Sequence, residues 1–466
     1  MPSDPSPSSS RPPVTRPATI PATPVPSSKV GLERSRRSAE PGLWQDRDFR
    51  WFWAGETASQ LGEQATRTVL PLLAVVALHC GPGRLGVLRA VEQAPILLFS
   101  LLVGAWVDRR RSRRFLVVAD LGRAAVLAGV PIAFLLGVLG MPLLLGVAFL
   151  SGFLSVCFDV AYHATLVRLV AHDRLAQGNS ALEGTRSAAQ IGGPALGGGL
   201  VSLLTAPLAV AGCVLFHVLS ALSIGRIRRA EPEPGGAAGQ SGRGMRMAEQ
   251  IREGLRLVAG DPALRAVGTA SAFFQFSFAA LMTVYLLFLP RALHLPGGAV
   301  GLVLAATGPG ALVGSALSAR LPARFGYGVV LVGAAALADG VMLCVPALHG
   351  SGAATICVLM AVNFLYGTFS QLVDVSANAI RQAVTPVHLQ GRVVATLNMV
   401  GMGLGPLGSL LGGGLAAWCG LRPALLAAAA ALTLSPIYLA CSPLARLGRS
   451  LPERREADPD RGDRRP

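Results

Sequence analysis

The chain has 466 residues, of which 52% are apolar and only 14% charged, and its mean hydropathy is +0.53. Soluble chains carry roughly 25% charge, so this composition excludes an ordinary water-soluble globule. The net charge of +16 sits on arginines in the tails and in short loops between apolar runs. That placement reads as membrane topology and attraction to anionic lipid rather than nucleic-acid binding.

Residues 1–48 are rich in Pro, Ser and Arg and read as a disordered basic tail. They lack the apolar core of a secretory signal. Apolar runs bounded by Gly, Pro or charge then predict twelve helices, over 50–78, 85–107, 115–138, 141–166, 180–204, 206–226, 265–290, 297–320, 327–348, 353–380, 392–417 and 422–442. Each suits the ~20 residues needed to cross a bilayer core. This is an all-α membrane protein with a domain plan of tail (1–48), six-helix half (49–226), central loop (227–263), second six-helix half (264–442) and tail (443–466). Within the central loop, Met247–Val258 reads as an amphipathic stretch.

Alternate loops carry the arginines. Arg109, Arg110, Arg111, Arg113 and Arg114 follow the second span, Arg168 and Arg174 the fourth, and Arg226, Arg228 and Arg229 the sixth. Arg320 and Arg324 follow the eighth, and Arg381 and Arg392 the tenth. The opposite loops are bare or hold an isolated Arg84, Arg291 or Arg422. The positive-inside rule therefore predicts both termini in the cytoplasm of a multi-pass cell-membrane protein.

The two halves repeat each other. Phe158-Asp159-Val160 precedes Gly197-Gly198-Gly199-Leu200 at the separation by which Val373-Asp374-Val375 precedes Gly412-Gly413-Gly414-Leu415. Gln177-Gly178 matches Gln390-Gly391, and Gly193-Pro194 matches Gly405-Pro406 with a small slip in register. Internal repeats of this kind build transporters around a central site.

At residues 48–443 the chain resembles the major facilitator superfamily. Gly104-Ala105-Trp106-Val107-Asp108-Arg109 and the arginines after it, including Arg113 and Arg114, match the family's loop motif between the second and third spans, with Arg111 where the family often has glycine. Asp120-Leu121-Gly122-Arg123-Ala124 and the opening Phe49-Arg50-Trp51-Phe52-Trp53 are similar to the drug-efflux branch. Ala189 with Gly193, Pro194, Gly197 and Gly198 in the fifth span resembles the antiporter motif, with alanine for its leading glycine. The resemblance implies two six-helix halves with pseudo-two-fold symmetry, alternating access, and a cytoplasmic latch at the loop motif that breaks during the cycle. Read alone, the same arginines set topology, and the same glycines permit close helix packing.

Intramembrane ionisable residues are costly and are functional candidates by default. Glu56, Gln60, Glu63 and Arg67 recur on one face of the first helix. Glu63 and Arg67 are spaced to pair, either as a structural ion pair or with Glu63 binding a proton or a cationic substrate. Arg89 and Glu92 in the second span form a similar short-range pair, while Asp120 and Arg123 in the third read as structural. Asp159 and Asp374 hold equivalent places in the two halves. Coupling candidates rank Glu63, Glu92, Asp159, Asp374. Phe273, Phe274, Gln275, Phe276, Phe278 and Tyr285 concentrate on the seventh span, and Asn363, Tyr366, Gln371 and Asn378 on the tenth. Such a lining suits an amphipathic or aromatic molecule.

The function expected is proton-coupled export of a small drug-like or secondary-metabolite molecule. Import or facilitated passage of a metabolite is the alternative, and a membrane receptor or enzyme a minor one. The one lysine, Lys29, precedes Val30, so the chain has no phosphate-binding Gly-Lys-Ser/Thr loop. The proton gradient is the energy source expected, with no cofactor. The seven histidines are dispersed without metal-ligand spacing, and no metal is expected. The seven cysteines include no Cys-x-x-Cys and read as packing residues. Cys80 and Cys419 fall near the same predicted membrane face, which leaves a bridge between them open. The partners expected are a small-molecule substrate and the lipid bilayer, with no nucleic acid, and the chain is expected to act as a monomer.

Overall fold

The computed structural model describes residues 43–107, 112–170, 174–229, 258–385 and 403–449, with Arg256, Val393, Leu397 and Gly401. The loop residues Asp108 and Arg109, most of the central loop with its Met247–Val258 stretch, and the bulk of both tails lie outside these residues. A short 3-10 turn, Leu43–Gln45, belongs to a separate unit that ends at Asp46. The described residues from Arg47 onward form one compact helical unit.

Helix occupies part or all of every predicted span. The elements are α1 (Arg47–Val76), α2 (Pro82–Val107), α3 (Ser112–Leu135), α4 (Met141–Leu169), α5 (Leu175–Leu203), α6 (Ala206–Gly225), α7 (Pro262–Arg291), α8 (Gly297–Ala305) and α9 (Thr307–Ser318). They continue with α10 (Leu321–Phe325), α11 (Tyr327–Val341), α12 (Ala353–Val384), α13 (Gly405–Cys419), α14 (Leu421–Leu432) and α15 (Leu434–Cys441). Eight stretches of the described residues are both long and apolar enough to cross a membrane. The other four spans, α1, α2, α5 and α13, carry charge or are rich in glycine, and all four take part, with α7 and α8, in the interface between the halves.

Two kinds of difference from the predicted spans have clear causes. α1 begins at Arg47 and α5 at Leu175, before the apolar runs do. A helix packed among others needs no apolar residue on every face. In α1 the early start is also held from outside, because Asp48 accepts hydrogen bonds from the backbone N–H groups of Arg228 (3.0 Å) and Arg229 (2.9 Å). Second, three spans are broken. α8 stops at Ala305, α11 gives way to a 3-10 turn at Met342, and α14 stops at Leu432. Each point lies four residues before a proline, namely Pro309, Pro346 and Pro436. A proline ring clashes with the carbonyl four residues back and supplies no N–H to it.

The seven cysteines are free thiols, with Cys80 buried and Cys419 exposed, so no bridge joins them.

The glycine contacts within each half and between the halves repeat with the sequence. Gly197 of α5 packs on α1 at the Ala65 carbonyl, and Gly412 of α13 packs on α7 at Ala280. Gly198 faces Gly301 of α8 across the interface, and Gly413 faces Gly86 of α2 in the same way. Gly193 sits on Gln64, and Gly408 on Phe276. The counterpart of Gly193 is thus Gly408 rather than Gly405, because each must let its helix touch the backbone of the first helix of its own half. Leu72 of α1 is buried in the C-terminal core and Leu287 of α7 in the N-terminal core, a reciprocal exchange.

All these contacts cluster toward the end of the bundle that carries the bare loops. There Arg291 also donates to the Cys80 carbonyl across the halves at 2.7 Å. A Cβ added at Gly301 would stand 2.6 Å from the Gly198 Cα and 3.0 Å from the Pro194 carbonyl. No side chain fits there without separating the helices. Gly301→Leu is therefore expected to unseal this end. Alkylation of the buried Cys80 by a membrane-impermeant maleimide, followed by peptide mass spectrometry, should rise several-fold over wild type. Unchanged Cys80 reactivity would show that the glycine contact does not hold the seal.

Candidate functional site

Beneath the seal, toward the arginine-rich end, two cavities of about 280 and about 470 Å³ lie between the halves and share Arg67, Arg89 and Phe278 in their walls. The smaller is lined by charge from α1, α2 and α4: Glu63, Arg67, Arg89, Glu92 and Asp159. The larger is lined by Gln190 and Pro194 of α5 and by Met282, Asn363, Tyr366 and Gln371 of the C-terminal half.

The charged wall is organised by one buried arginine. Arg123 of α3 is 1% exposed. Its Nη1 donates to Glu63 Oε2 at 2.9 Å, and its Nη2 to Asp120 Oδ1 at 2.5 Å and to Ser59 at 2.8 Å. Its guanidinium lies 4.5 Å from the centre of the Phe158 ring. Asp120 in turn accepts from Ser220 and contacts His217 Nδ1 at 3.3 Å. Glu63 is also bonded to Arg67 at 2.6 Å, the i,i+4 pair that spacing predicts. Glu63 is thus clamped between a buried arginine and a half-exposed one.

Other predicted residues take different positions. Glu92 and Arg89 stand 3.8 Å apart. Glu56 is 2% exposed; its Oε1 accepts from Gln60 at 2.8 Å, while its buried Oε2 has no partner. Asp159 lines the smaller cavity, and among the described residues it makes no hydrogen bond or ion pair. Asp374, its sequence counterpart, is exposed, accepts a 3.4 Å hydrogen bond from Asn378, and does not line the central cavities. Arg113 donates to the Gly225 carbonyl at 3.3 Å, and Arg114 is exposed. Gly104 lies in the last turn of α2, and its motif partners Asp108 and Arg109 lie outside the described residues.

The aromatic cluster divides. Phe278 faces the chamber and is stacked between Phe274 (5.4 Å) and Tyr366 (5.8 Å). Phe273 is 45% exposed on the outside, and Tyr285 is buried in the core, where it accepts from Asn363 at 2.8 Å. The residues that sequence reasoning undervalued are Arg123, Asp120 and His217. Their signal was present, since all three are ionisable and lie within apolar runs.

The chain matches the family described as transmembrane secretion effector over residues 43–457. It belongs to that family. The transporter is 28% identical over 372 residues to the multidrug efflux pump Tap of Mycobacterium tuberculosis, covering 74% of this chain and 82% of that one. Against the multidrug efflux pump Tap of Mycolicibacterium fortuitum it is 29% identical over 346 residues, with 72% and 80% covered. Its fold matches the crystal structure of a bacterial homologue of the iron transporter ferroportin in an inward-facing state. The TM-score is 0.67 at 14% identity, with 86% of this chain and 98% of that one covered. The protein is a multi-pass major facilitator transporter resembling the drug-efflux branch.

In this transporter the buried cluster is structural as well as electrostatic. Arg123→Leu would leave Asp120 buried without its counter-charge, which is expected to cost about 3–5 kcal/mol. In detergent this should appear as a clear drop in the unfolding midpoint. Arg67→Leu should lower the midpoint far less, because that side chain is 55% exposed. Equal losses in the two variants would refute the assignment of Arg123 as the organising charge.

Proposed function

We propose that the protein exports an amphipathic, drug-like or secondary-metabolite molecule from the cytoplasm by alternating access, driven by the proton gradient, with both termini cytoplasmic. The observation that carries this reading is Asp159, an unpaired carboxylate in a chamber wall whose other charges are matched. Glu63 is held by Arg67 and Arg123, and Glu92 stands beside Arg89. Asp159 is left to attract a cationic group or a proton. Opposite it, the stacked rings of Phe278 and Tyr366 offer apolar aromatic surface to a ring-bearing molecule. The two walls together suit a molecule with one positive and one aromatic end.

The arginine-rich loops support placing the chamber's side in the cytoplasm, which makes this arrangement inward-facing. A proton arriving at Asp159 removes the charge that attracts a cation. Bound proton and bound substrate then exclude each other, so that arrival of one releases the other, which is the requirement for exchange. Protonation of Glu63 would release Arg67 and weaken the link from α1 to α3. Glu63 is therefore assigned to the conformational step and Asp159 to binding. The resemblance to efflux pumps supports the outward direction.

The test uses inverted membrane vesicles with an imposed proton gradient and ethidium as the lipophilic cation. Wild type should accumulate ethidium and dissipate part of the gradient. Asp159→Asn should lose accumulation at least about tenfold, a binding loss of about 1.4 kcal/mol or more. Glu63→Gln should retain ethidium binding but slow transport. If Asp159→Asn transports as wild type does, the binding role of that residue is wrong. If wild type matches empty vesicles for ethidium and for a panel of neutral amphipaths, a metabolite importer or facilitator becomes the better reading.

A further inference from the structure

A separate cavity of about 150 Å³ lies wholly inside the C-terminal half, among α7, α11, α12 and α15. Its walls are mostly Ala, Val and Leu, with Asp339, Asp374, Ser271, Ser370 and Ser435 as the polar groups. Asp339 is 2% exposed. Among the described residues it has no hydrogen bond and no ion pair, yet it lines the cavity. A carboxylate buried in apolar surroundings is strongly disfavoured unless something neutralises it. In the N-terminal half every comparably buried acid has a partner: Asp120 has Arg123, Glu63 has two arginines, and Glu56 has Gln60. Asp339 has only the cavity.

We propose that Asp339, with Asp374 on the same cavity, forms a second monovalent-cation site within the C-terminal half. The proposal rests on the transport reading for its role in the cycle but not for its existence. The cavity is too small for a drug-sized molecule, which needs at least about 300 Å³, and it has room for a few waters or one small ion. Its donors are hard oxygens. Ser435 and Ser370 give their hydroxyl protons to the carbonyls of Ala270 and Gly367, at 3.2 and 3.4 Å, which leaves their oxygen lone pairs available. No His or Cys is present in the walls, so soft metals are not served. The ionisable groups facing Asp339 all come from α12, namely Asp374 and Tyr366. The lining residues of α7 and α15 are uncharged and no basic residue lines the cavity. The protein cation that acts on the site is Arg381 of α12, which is joined to Asp374 through Asn378 and does not reach Asp339.

The site also touches the central chamber. Ser370 lines both cavities. Phe274, in the wall of the small cavity, stacks on Phe278, which faces the chamber. A substrate seated on Phe278 is thus one aromatic layer from the ion.

Dicyclohexylcarbodiimide, which modifies protonated carboxyls in apolar surroundings, tests the site on the full-length protein in liposomes. Peptide mass spectrometry should find the adduct on Asp339, absent in Asp339→Asn. Its yield should fall about tenfold per pH unit on the alkaline side. Loss of adduct on adding sodium chloride, but not choline chloride, would make sodium the occupant. Dependence on pH alone would make it the proton. An unmodified Asp339 at every pH, or an adduct indifferent to both pH and sodium, would overturn the proposal. A large drop in the unfolding midpoint of Asp339→Asn would also overturn it, because an unpartnered carboxylate should be dispensable for folding. Labelling requires no transport, so this outcome stands apart from that of the ethidium assay.

Discussion

One guanidinium holds the N-terminal half together. Arg123 on α3 reaches Glu63 and Ser59 on α1, lies over Phe158 on α4, and grips Asp120, which α6 holds through Ser220 and His217. Four helices therefore meet at one charge. In a bilayer, burial alone does not drive helices together, because lipid tails are as apolar as the helices themselves. Specific polar contacts must supply the register, and here they converge on a single residue. The cluster also fixes where the chamber wall stands. Glu63 faces the cavity because Arg123 pulls it from behind, and Arg67 can then extend into the open space.

The two halves share a backbone plan but divide the chemistry. At the constant separation set by the paired glycines, Glu63 in the first half corresponds to Phe278 in the second, and Arg67 to Met282. Where one half places a clamped carboxylate, the other places a ring stacked between Phe274 and Tyr366. The chamber thus has one charged wall and one aromatic wall, and the ion pairs among its lining residues lie in the N-terminal half.

Much of the fold was legible in the sequence. Apolar run length gave the spans, and the repeated Asp and Gly-Gly-Gly groups marked the two halves. Glu63, Arg67, Arg89 and Glu92 were visible as short-range pairs because helix spacing alone decides them. The reach of Arg123 to α1 was not, because Glu63 and Ser59 lie about sixty residues away in sequence, and it is the packing of both α1 and α3 against α6 that brings them within reach. The same limit separates Asp159 from Asp374. Their sequence contexts are alike, yet one lines the central chamber and the other a cavity inside its own half. Asp339 went unnoticed because a single acid in an apolar run has no pattern. What distinguishes it is near-complete burial with no hydrogen-bond or ion-pair partner among the described residues, which only three-dimensional neighbours can reveal. The helix breaks at Ala305, Met342 and Leu432 each lie four residues before a proline, yet Pro71, Pro95, Pro131 and Pro194 sit inside unbroken helices, so proline position alone does not announce them.

The seal at the bare-loop end is made of glycine backbones and exchanged leucines, with one arginine–carbonyl bond beside them. Opening it admits water to apolar surface rather than separating charges. Contacts of this kind draw their strength from the expulsion of water, and that strength declines on cooling. The sealed state therefore has a temperature coefficient of its own. Cold biases the equilibrium toward the open end, while ionic strength, which screens exposed charge, leaves it nearly untouched. The strength of this seal is therefore set by temperature more than by salt.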